Sequence, residues 1–109
     1  MRVGKVYLDN ILAGKITETD EGEYLFAYDG QYLKSKNPKS VSLTLPVGED
    51  EFRSNTLFPF FDGLIPEGWL FDLSVSNWKL KSNDRMGLLL ATCKDCIGNV
   101  SIVVEKNES

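Results

Sequence analysis

Residues 56–69 of the chain read TLFPFFDGLIPEGW, a stretch in which apolar residues surround two prolines. Five of its side chains recur at the spacing of one helical face: Leu57, Phe60, Phe61, Leu64 and Ile65. Pro66 and the glycine two residues later end that face, and Pro66 also suits the first turn of a following helix. The stretch therefore predicts a helix that ends near Ile65 and a second helix, over about residues 67–80, that is bent away from the first.

The N-terminal residues alternate between polar and apolar types, as strands do. Residues 2–9 and 11–17 predict a β-hairpin that turns at Asp9-Asn10. The aromatic-rich residues 23–28 favour a third, antiparallel strand, because aromatic side chains suit a pleated, half-buried surface. The first quarter of the chain therefore predicts an antiparallel meander.

Residues 42–46 read SLTLP, and residues 41–45 predict a further strand. The side chains expected to face the core are Val41, Leu43 and Leu45. Residues 46–53 are polar and acidic, which is typical of a loop.

The C-terminal third predicts one more helix and one more strand. Residues 84–92 have helical periodicity, with Asn83 or Ser82 as the expected cap, and residues 100–105 have the composition of a closing strand. The side chains expected to point inward from the helix are Met86, Leu89 and Leu90.

These elements predict an α+β fold. We expect a small, mostly antiparallel sheet of about five strands, formed by the N-terminal meander and the closing C-terminal strand, packed with about three helices. A chain of 109 residues fits one compact domain with one core, so residues 1–109 are expected to form a single domain.

The charge balance bears on possible partners. Sixteen acidic and twelve basic residues give a net charge of −4, which repels a phosphate backbone unless the basic residues cluster. The local concentration of Lys34, Lys36 and Lys39 is typical of a solvated loop. We therefore expect no direct binding of nucleic acid.

The N-terminus lacks the apolar segment of a signal peptide, and no apolar run approaches the roughly 20 residues that span a bilayer. These two features predict a cytoplasmic protein with no membrane role.

Two cysteines, Cys93 and Cys96, have the C-x-x-C spacing of redox pairs and half zinc sites. The chain has no histidine and no further cysteine, so it lacks the usual four ligands of a tetrahedral zinc ion. A redox motif should open a helix after a strand, whereas this one precedes a predicted strand. We interpret both as reduced cysteines and expect no metal and no cofactor, with a redox or metal protein as a weaker alternative.

The residue types needed for catalysis are sparse. Without histidine, the chain lacks the usual general base and every Ser-His or Cys-His arrangement. Asp62, Glu67 and Asp72 are close in sequence, but carboxylates at such spacings are typical of solvated charges and helix caps. Glycine-rich phosphate loops and the H-R-D and D-F-G motifs of kinases are also missing from the sequence. We expect a protein that is not an enzyme.

Four motifs together carry a family resemblance: YLFAY at 24–28, SVSLTLP at 40–46, FPFFDGLIPEG at 58–68 and DCIGNV at 95–100. In this order they resemble the N-terminal subdomain of HipA-type toxin kinases, and the likeness spans nearly the whole chain. The family pattern reads S-L-S-L-P, then F-F-x-N-L-L-P-E-G, then G-x-D-x-x-G-A-V. The chain departs from it at Asp62-Gly63 and at Thr92-Cys93-Lys94, so the helix-to-strand turn is expected to differ.

The resemblance implies a role beside a kinase. In full-length members a Ser/Thr kinase core of a few hundred residues follows this subdomain, and the present sequence does not contain it. The chain thus looks like a natural stand-alone small subunit, similar to HipS, of a split HipA toxin–antitoxin system. Such a subunit is expected to bind and restrain the HipA-like kinase as an antitoxin. It would meet a HipB-like helix-turn-helix protein directly or within the same complex.

The expected interface with the kinase is the turn after Pro66. A tryptophan next to a turn can fill a partner pocket at low entropic cost, although it can equally pack in the core. The residues predicted to form this interface are Glu67, Gly68, Trp69, Leu70 and Phe71. An alternative is an interaction module with a different partner, which would lack a truncated HipA-like kinase in the neighbouring gene.

Overall fold

A computed structural model describes residues 1–65, 84–92 and 99–105. Among these residues it has five strands and three helices, which confirms the predicted α+β class. In chain order the elements are β1 (Arg2–Leu8), β2 (Ile11–Glu18), β3 (Tyr24–Tyr28), α1 (Gly30–Leu33), β4 (Phe52–Ser54), α2 (Pro59–Asp62), α3 (Arg85–Thr92) and β5 (Val100–Val104). The strands form one antiparallel sheet in the order β4-β3-β2-β1-β5.

The first hairpin turns where the sequence predicts. Asp9 and Asn10 have φ of 54° and 66°, the left-handed conformation that a tight two-residue hairpin turn requires at both central positions. Asparagine and aspartate tolerate this conformation better than other non-glycine residues. The turn therefore sets the register of β1 on β2 from the pair Leu8 and Ile11, and an irregularity shifts that register between Tyr7 and Val6.

The closing strand brings the two ends of the sequence together in the sheet. Strand β5, the predicted closing strand, pairs with β1, so the last strand lies beside the first. One face of the sheet is buried along β1, β2, β3 and the edge strand β5, where Val6, Ile16, Phe26 and Ile102 are fully inaccessible. Helix α3 contributes Met86, Leu88 and Leu89, which are also fully inaccessible, and Leu90 is partly buried. The core thus lies between this face and the helices.

The predicted strand over residues 41–45 is wrong. Only an isolated bridge between Ser42 and Leu45 forms there, and the fifth strand is β4, whose first two residues belong to the segment expected to be a loop. Strand β4 pairs with β3, and the Phe52 ring lies 6.4 Å from the Phe26 ring, so aromatic packing compensates for the polar composition.

Two further expectations need correction. Leu43, expected to face the core, is 99% exposed, whereas Val41 and Leu45 are buried as predicted. The carboxylate of Asp84 accepts a hydrogen bond from the Gly87 N–H at 3.2 Å, so Asp84 supplies the cap expected from Asn83 or Ser82, two residues outside the described ones.

Helix α2 is shorter than predicted. It ends at Asp62, and turns at residues 63–65 complete the predicted segment. Phe61 is fully buried in the core. The predicted helix over residues 67–80 lies outside the described residues.

Candidate partner-binding surface

The residues predicted to bind a partner lie outside the described part of the chain. These are Glu67, Gly68, Trp69, Leu70 and Phe71. Cys93 and Cys96 lie outside it as well. Two features of the described residues bear on how the domain could bind another protein. One flanks segment 66–83, and the other presents an apolar side chain to solvent.

The first feature joins the described residues on either side of segment 66–83. Asp62, at the end of α2, accepts a hydrogen bond from Nε of Arg85, at the start of α3, at 2.5 Å. Both side chains are about two-fifths exposed, at 41% and 36%. Phe61 anchors this end of α2, since its ring lies 5.4 Å from that of Phe26 in the sheet. The ion pair therefore holds the two flanks of the segment that carries Trp69 close together.

The second feature is a loop fixed by two tyrosines; we name residues 39–47 the Leu43 loop. The hydroxyl of Tyr28 accepts from the Val41 N–H at 3.0 Å and donates to the Leu45 carbonyl. The hydroxyl of Tyr32 donates to the Lys39 carbonyl at 2.7 Å and accepts from the Lys39 N–H at 3.0 Å. The buried hydroxyls thus satisfy backbone groups that a strand partner would otherwise satisfy.

The two tyrosines are themselves well positioned. Their rings stack with centroids 6.1 Å apart and planes 10° from parallel, and each side chain is 7% exposed. Tyr28 ends β3, and Tyr32 lies in α1, whose N-terminus is capped by the Asp29 carboxylate. Burial raises the pKa of the Tyr28 hydroxyl, so this hydroxyl stays protonated and able to donate at neutral pH.

The tip of the Leu43 loop is a tight turn. The Leu45 N–H donates to the Ser42 carbonyl at 3.1 Å, and the Thr44 N–H donates to the Ser42 hydroxyl at 3.2 Å. Ser40 closes the base, because its hydroxyl accepts from the Val47 N–H at 2.8 Å. The loop therefore holds Leu43 outward on an ordered backbone. The alternation in SLTLP gave no signal of this, since a strand and a loop bonded to side chains show the same pattern.

A charged cluster ties the sheet to α3 on another side of the domain. Arg2 Nη2 lies 2.6 Å from Glu18 and 2.7 Å from Asp84, and the Tyr24 hydroxyl donates to Glu18 at 3.2 Å. Hydrogen bonding to Arg2 lowers the pKa of the Asp84 carboxyl, so Asp84 stays ionised and is unsuited to act as a general acid. Burial raises the pKa of Tyr24. The arrangement is that of a structural network.

An open cavity of about 390 Å³ borders this cluster, lined by Met1, Arg2, Val3, Leu90, Val104 and Glu105. Its two charged side chains are already paired, Arg2 as above and Glu105 with Nζ of Lys15 at 2.8 Å. Within residues 1–65, 84–92 and 99–105, no group of three or more acidic, cysteine or histidine side chains could hold a metal ion. None of the helices in these ranges is long and apolar enough to cross a membrane.

Comparison with known proteins places the chain in a family. The HipA N-terminal domain family matches residues 4–103. The chain belongs to this family. The matched region is an N-terminal domain rather than a kinase catalytic domain, and the resemblance predicted from the four motifs is confirmed.

Relatives of this HipA N-terminal domain differ greatly in size. An uncharacterized protein of Haemophilus influenzae is 33% identical over 106 residues, which cover 97% of this chain and 95% of that protein. The putative kinase Y4mE of Sinorhizobium fredii is 34% identical over 67 residues, which cover 62% of this chain and 16% of that protein. A solved structure, the N-terminal domain of HipA toxin, superposes with a TM-score of 0.74 at 28% identity, covering 99% of this chain and 96% of that one.

Proposed function

We propose that this chain is a non-catalytic regulatory subunit that binds a HipA-like Ser/Thr kinase toxin and restrains it as an antitoxin in the cytoplasm. The observation that carries the proposal is the size contrast between its relatives. A similar sequence makes up 95% of a small Haemophilus influenzae protein but only 16% of a putative kinase. One type of domain thus occurs both nearly alone and as a small part of a kinase chain.

The physical consequence concerns the interface. A domain joined covalently to a kinase meets the rest of its chain at a high effective concentration, and a separate subunit loses that advantage. It must therefore form a stable interface between chains, which commonly buries about 1,600 Å² in total. An interface of this size requires apolar anchors on the small subunit.

We propose that the segment after Pro66 supplies the main anchor. Trp69 is the favoured hot-spot residue, because buried tryptophans contribute disproportionately to protein–protein affinity. Glu67 and Gly68 would set its approach, and Leu70 and Phe71 would extend the apolar contact. The Asp62–Arg85 ion pair supports this proposal by fixing the flanks of the segment to the core.

A HipB-like helix-turn-helix protein is the proposed third member of the complex. The net charge of −4 disfavours contact between this chain and DNA phosphates. Any effect of the chain on an operator would therefore pass through the kinase or through the helix-turn-helix protein.

The test is recovery of the native complex. The chain, tagged at its own locus and kept at its native level, should co-purify with a stoichiometric HipA-like kinase identified by mass, and the kinase should be less active in the complex than after release. Recovery of the chain alone or with unrelated proteins would favour an interaction module with another partner. Bound zinc or a disulfide between Cys93 and Cys96 would instead favour the metal or redox alternative.

A further inference from the structure

Leu43 has an unusual combination of exposure and order. Its side chain is 99% exposed, more than any other large apolar residue in the described part of the chain. Single exposed leucines are common on protein surfaces and by themselves indicate nothing. The backbone around Leu43, however, is fixed by the Tyr28 and Tyr32 hydroxyls and by the Ser42 turn.

This order matters for binding. A flexible loop loses conformational entropy when it binds, whereas a loop already held in one conformation loses little. The Leu43 loop is held at both ends, at Lys39 by Tyr32 and at Val41 and Leu45 by Tyr28. The leucine at its tip is therefore preorganised to enter a pocket.

The composition of the loop indicates the chemistry of that pocket. Apart from Lys39 at its base, the loop has no charged side chain: residues 40–47 read SVSLTLPV, although 26% of the whole chain is charged. The centres of protein interfaces are likewise depleted of charge. Without basic residues or a wider apolar face, this tip suits neither nucleic acid nor a lipid surface, so it fits an apolar pocket of a protein.

We infer that Leu43 is a docking residue that inserts into an apolar pocket on the HipA-like kinase. The inference rests on the proposed function and gives the interface a second contact besides Trp69. The choice of a kinase as occupant is supported by the relatives: in the putative kinase Y4mE the matched segment is 16% of the chain, so a similar segment is covalently joined to a much larger kinase chain.

The experiment uses the HipA-type kinase encoded in the same genome, purified separately, and measures its affinity for the full chain by calorimetry. Leu43→Asp should weaken binding by at least about tenfold, because it removes a leucine that is buried only in the complex and places a carboxylate in an apolar pocket. Leu43→Met, which keeps the apolar volume, should bind within about twofold of the wild type. The melting temperatures should match, since Leu43 makes no core contact.

Val103→Asp is the matched control. Val103 is 37% exposed and lies on the edge strand β5, opposite Lys5 of β1. A new carboxylate at position 103 therefore faces a cation. It should leave affinity unchanged. Equal binding by wild type and Leu43→Asp would overturn the docking role of Leu43 while leaving the proposed function intact.

Two other outcomes would overturn the inference differently. Failure of the wild-type chain to bind the kinase would remove both the proposed function and this occupant. A homodimer of the chain that dissociates on Leu43→Asp substitution, detected by light scattering, would show that the pocket belongs to a second copy of the chain instead.

Discussion

The guanidinium of Arg2 and the carboxylate of Asp84 form a two-point ion pair across 82 residues of sequence, with Nη2 2.7 Å from Oδ1 and Nη1 3.2 Å from Oδ2. Arg2 begins β1, and Asp84 caps α3 through its bond to the Gly87 N–H. One carboxylate therefore both starts the helix and fastens it to the sheet.

Replacing Asp84 should separate these two roles. Asp84→Ala removes the cap and the ion pair and should lower the free energy of unfolding by about 1–2 kcal/mol, of which the cap accounts for about 1. Asp84→Asn keeps a good capping residue and should lose less. Urea unfolding measures both, and Asp20→Ala, at an 81% exposed partner of the N-terminus, is the control expected within about 0.5 kcal/mol of wild type. Equal stability of Asp84→Ala and wild type would contradict this account.

The same pair predicts a pH dependence. Arg2 lowers the pKa of Asp84 in the folded state, so the stabilisation is fully present above the ordinary carboxyl pKa of about 3.9 and is lost as pH falls through the lower folded value. The stability difference between wild type and Asp84→Asn should be constant from about pH 7 to 5 and should narrow below about pH 4. Denaturant titrations at several pH values test this. A stability difference between wild type and Asp84→Asn that widens in acid would contradict the lowered pKa of Asp84.

Gly87 lies where a side chain would break this arrangement. A Cβ at this position would stand 2.3 Å from Asp84 Oδ2 and 3.0 Å from Arg2 Nη1. Gly87→Ala should therefore destabilise the domain by about 1–2 kcal/mol, even though alanine favours helix by about 1 kcal/mol. In the Asp84→Ala background the same change should become neutral or stabilising, which a double-mutant cycle detects. Gly30→Ala, with no atom within 4 Å of the added Cβ, is the harmless control.

Tyr28→Phe tests the support of the Leu43 loop. Loss of the hydroxyl leaves the Val41 N–H and the Leu45 carbonyl without the partner they have in the fold, which should cost about 1–3 kcal/mol. Amide exchange at Val41 should also accelerate. Tyr7→Phe, in the half-exposed part of β1, is the matched control. Unchanged exchange at Val41 would mean that the loop is ordered by other contacts.

Trp69→Ala tests the main proposed anchor. The variant should fold but bind the kinase at least about tenfold more weakly, as expected for a hot-spot tryptophan. Trp78→Ala serves as the comparison, since Trp78 is the second tryptophan of the chain and is not among the proposed interface residues, so its loss should leave affinity near that of the wild type. A folded Trp69→Ala protein that still restrains the kinase fully would remove Trp69 from the interface.

The parts of the fold that depend on local chemistry were predictable. The Asp9-Asn10 turn, the strand alternation before and after it, and the periodicity of α3 all follow from neighbouring residues. Strand β4 was missed because it has only three residues with acidic neighbours, and its pairing with β3 depends on a distant contact between Phe52 and Phe26.

The candidate partner-binding surface likewise combines features that neighbouring residues determine with features that depend on distant contacts. Leu43 was placed in the core because SLTLP alternates like a strand. The hydroxyl that turns this segment into a loop belongs to Tyr28, 13 residues before Val41 and 17 before Leu45. Only the tertiary structure brings that hydroxyl to the backbone. The family, by contrast, was recognisable because its motifs are contiguous in sequence.

The most direct test of the central claim is autophosphorylation of the purified HipA-type kinase from the same genome, measured while the chain is added. The account predicts that phosphate incorporation falls as the chain is added and reaches its floor at one chain per kinase, with Val103→Asp acting like wild type. A rate that stays unchanged in excess chain, with binding verified in the same sample, would contradict the antitoxin role.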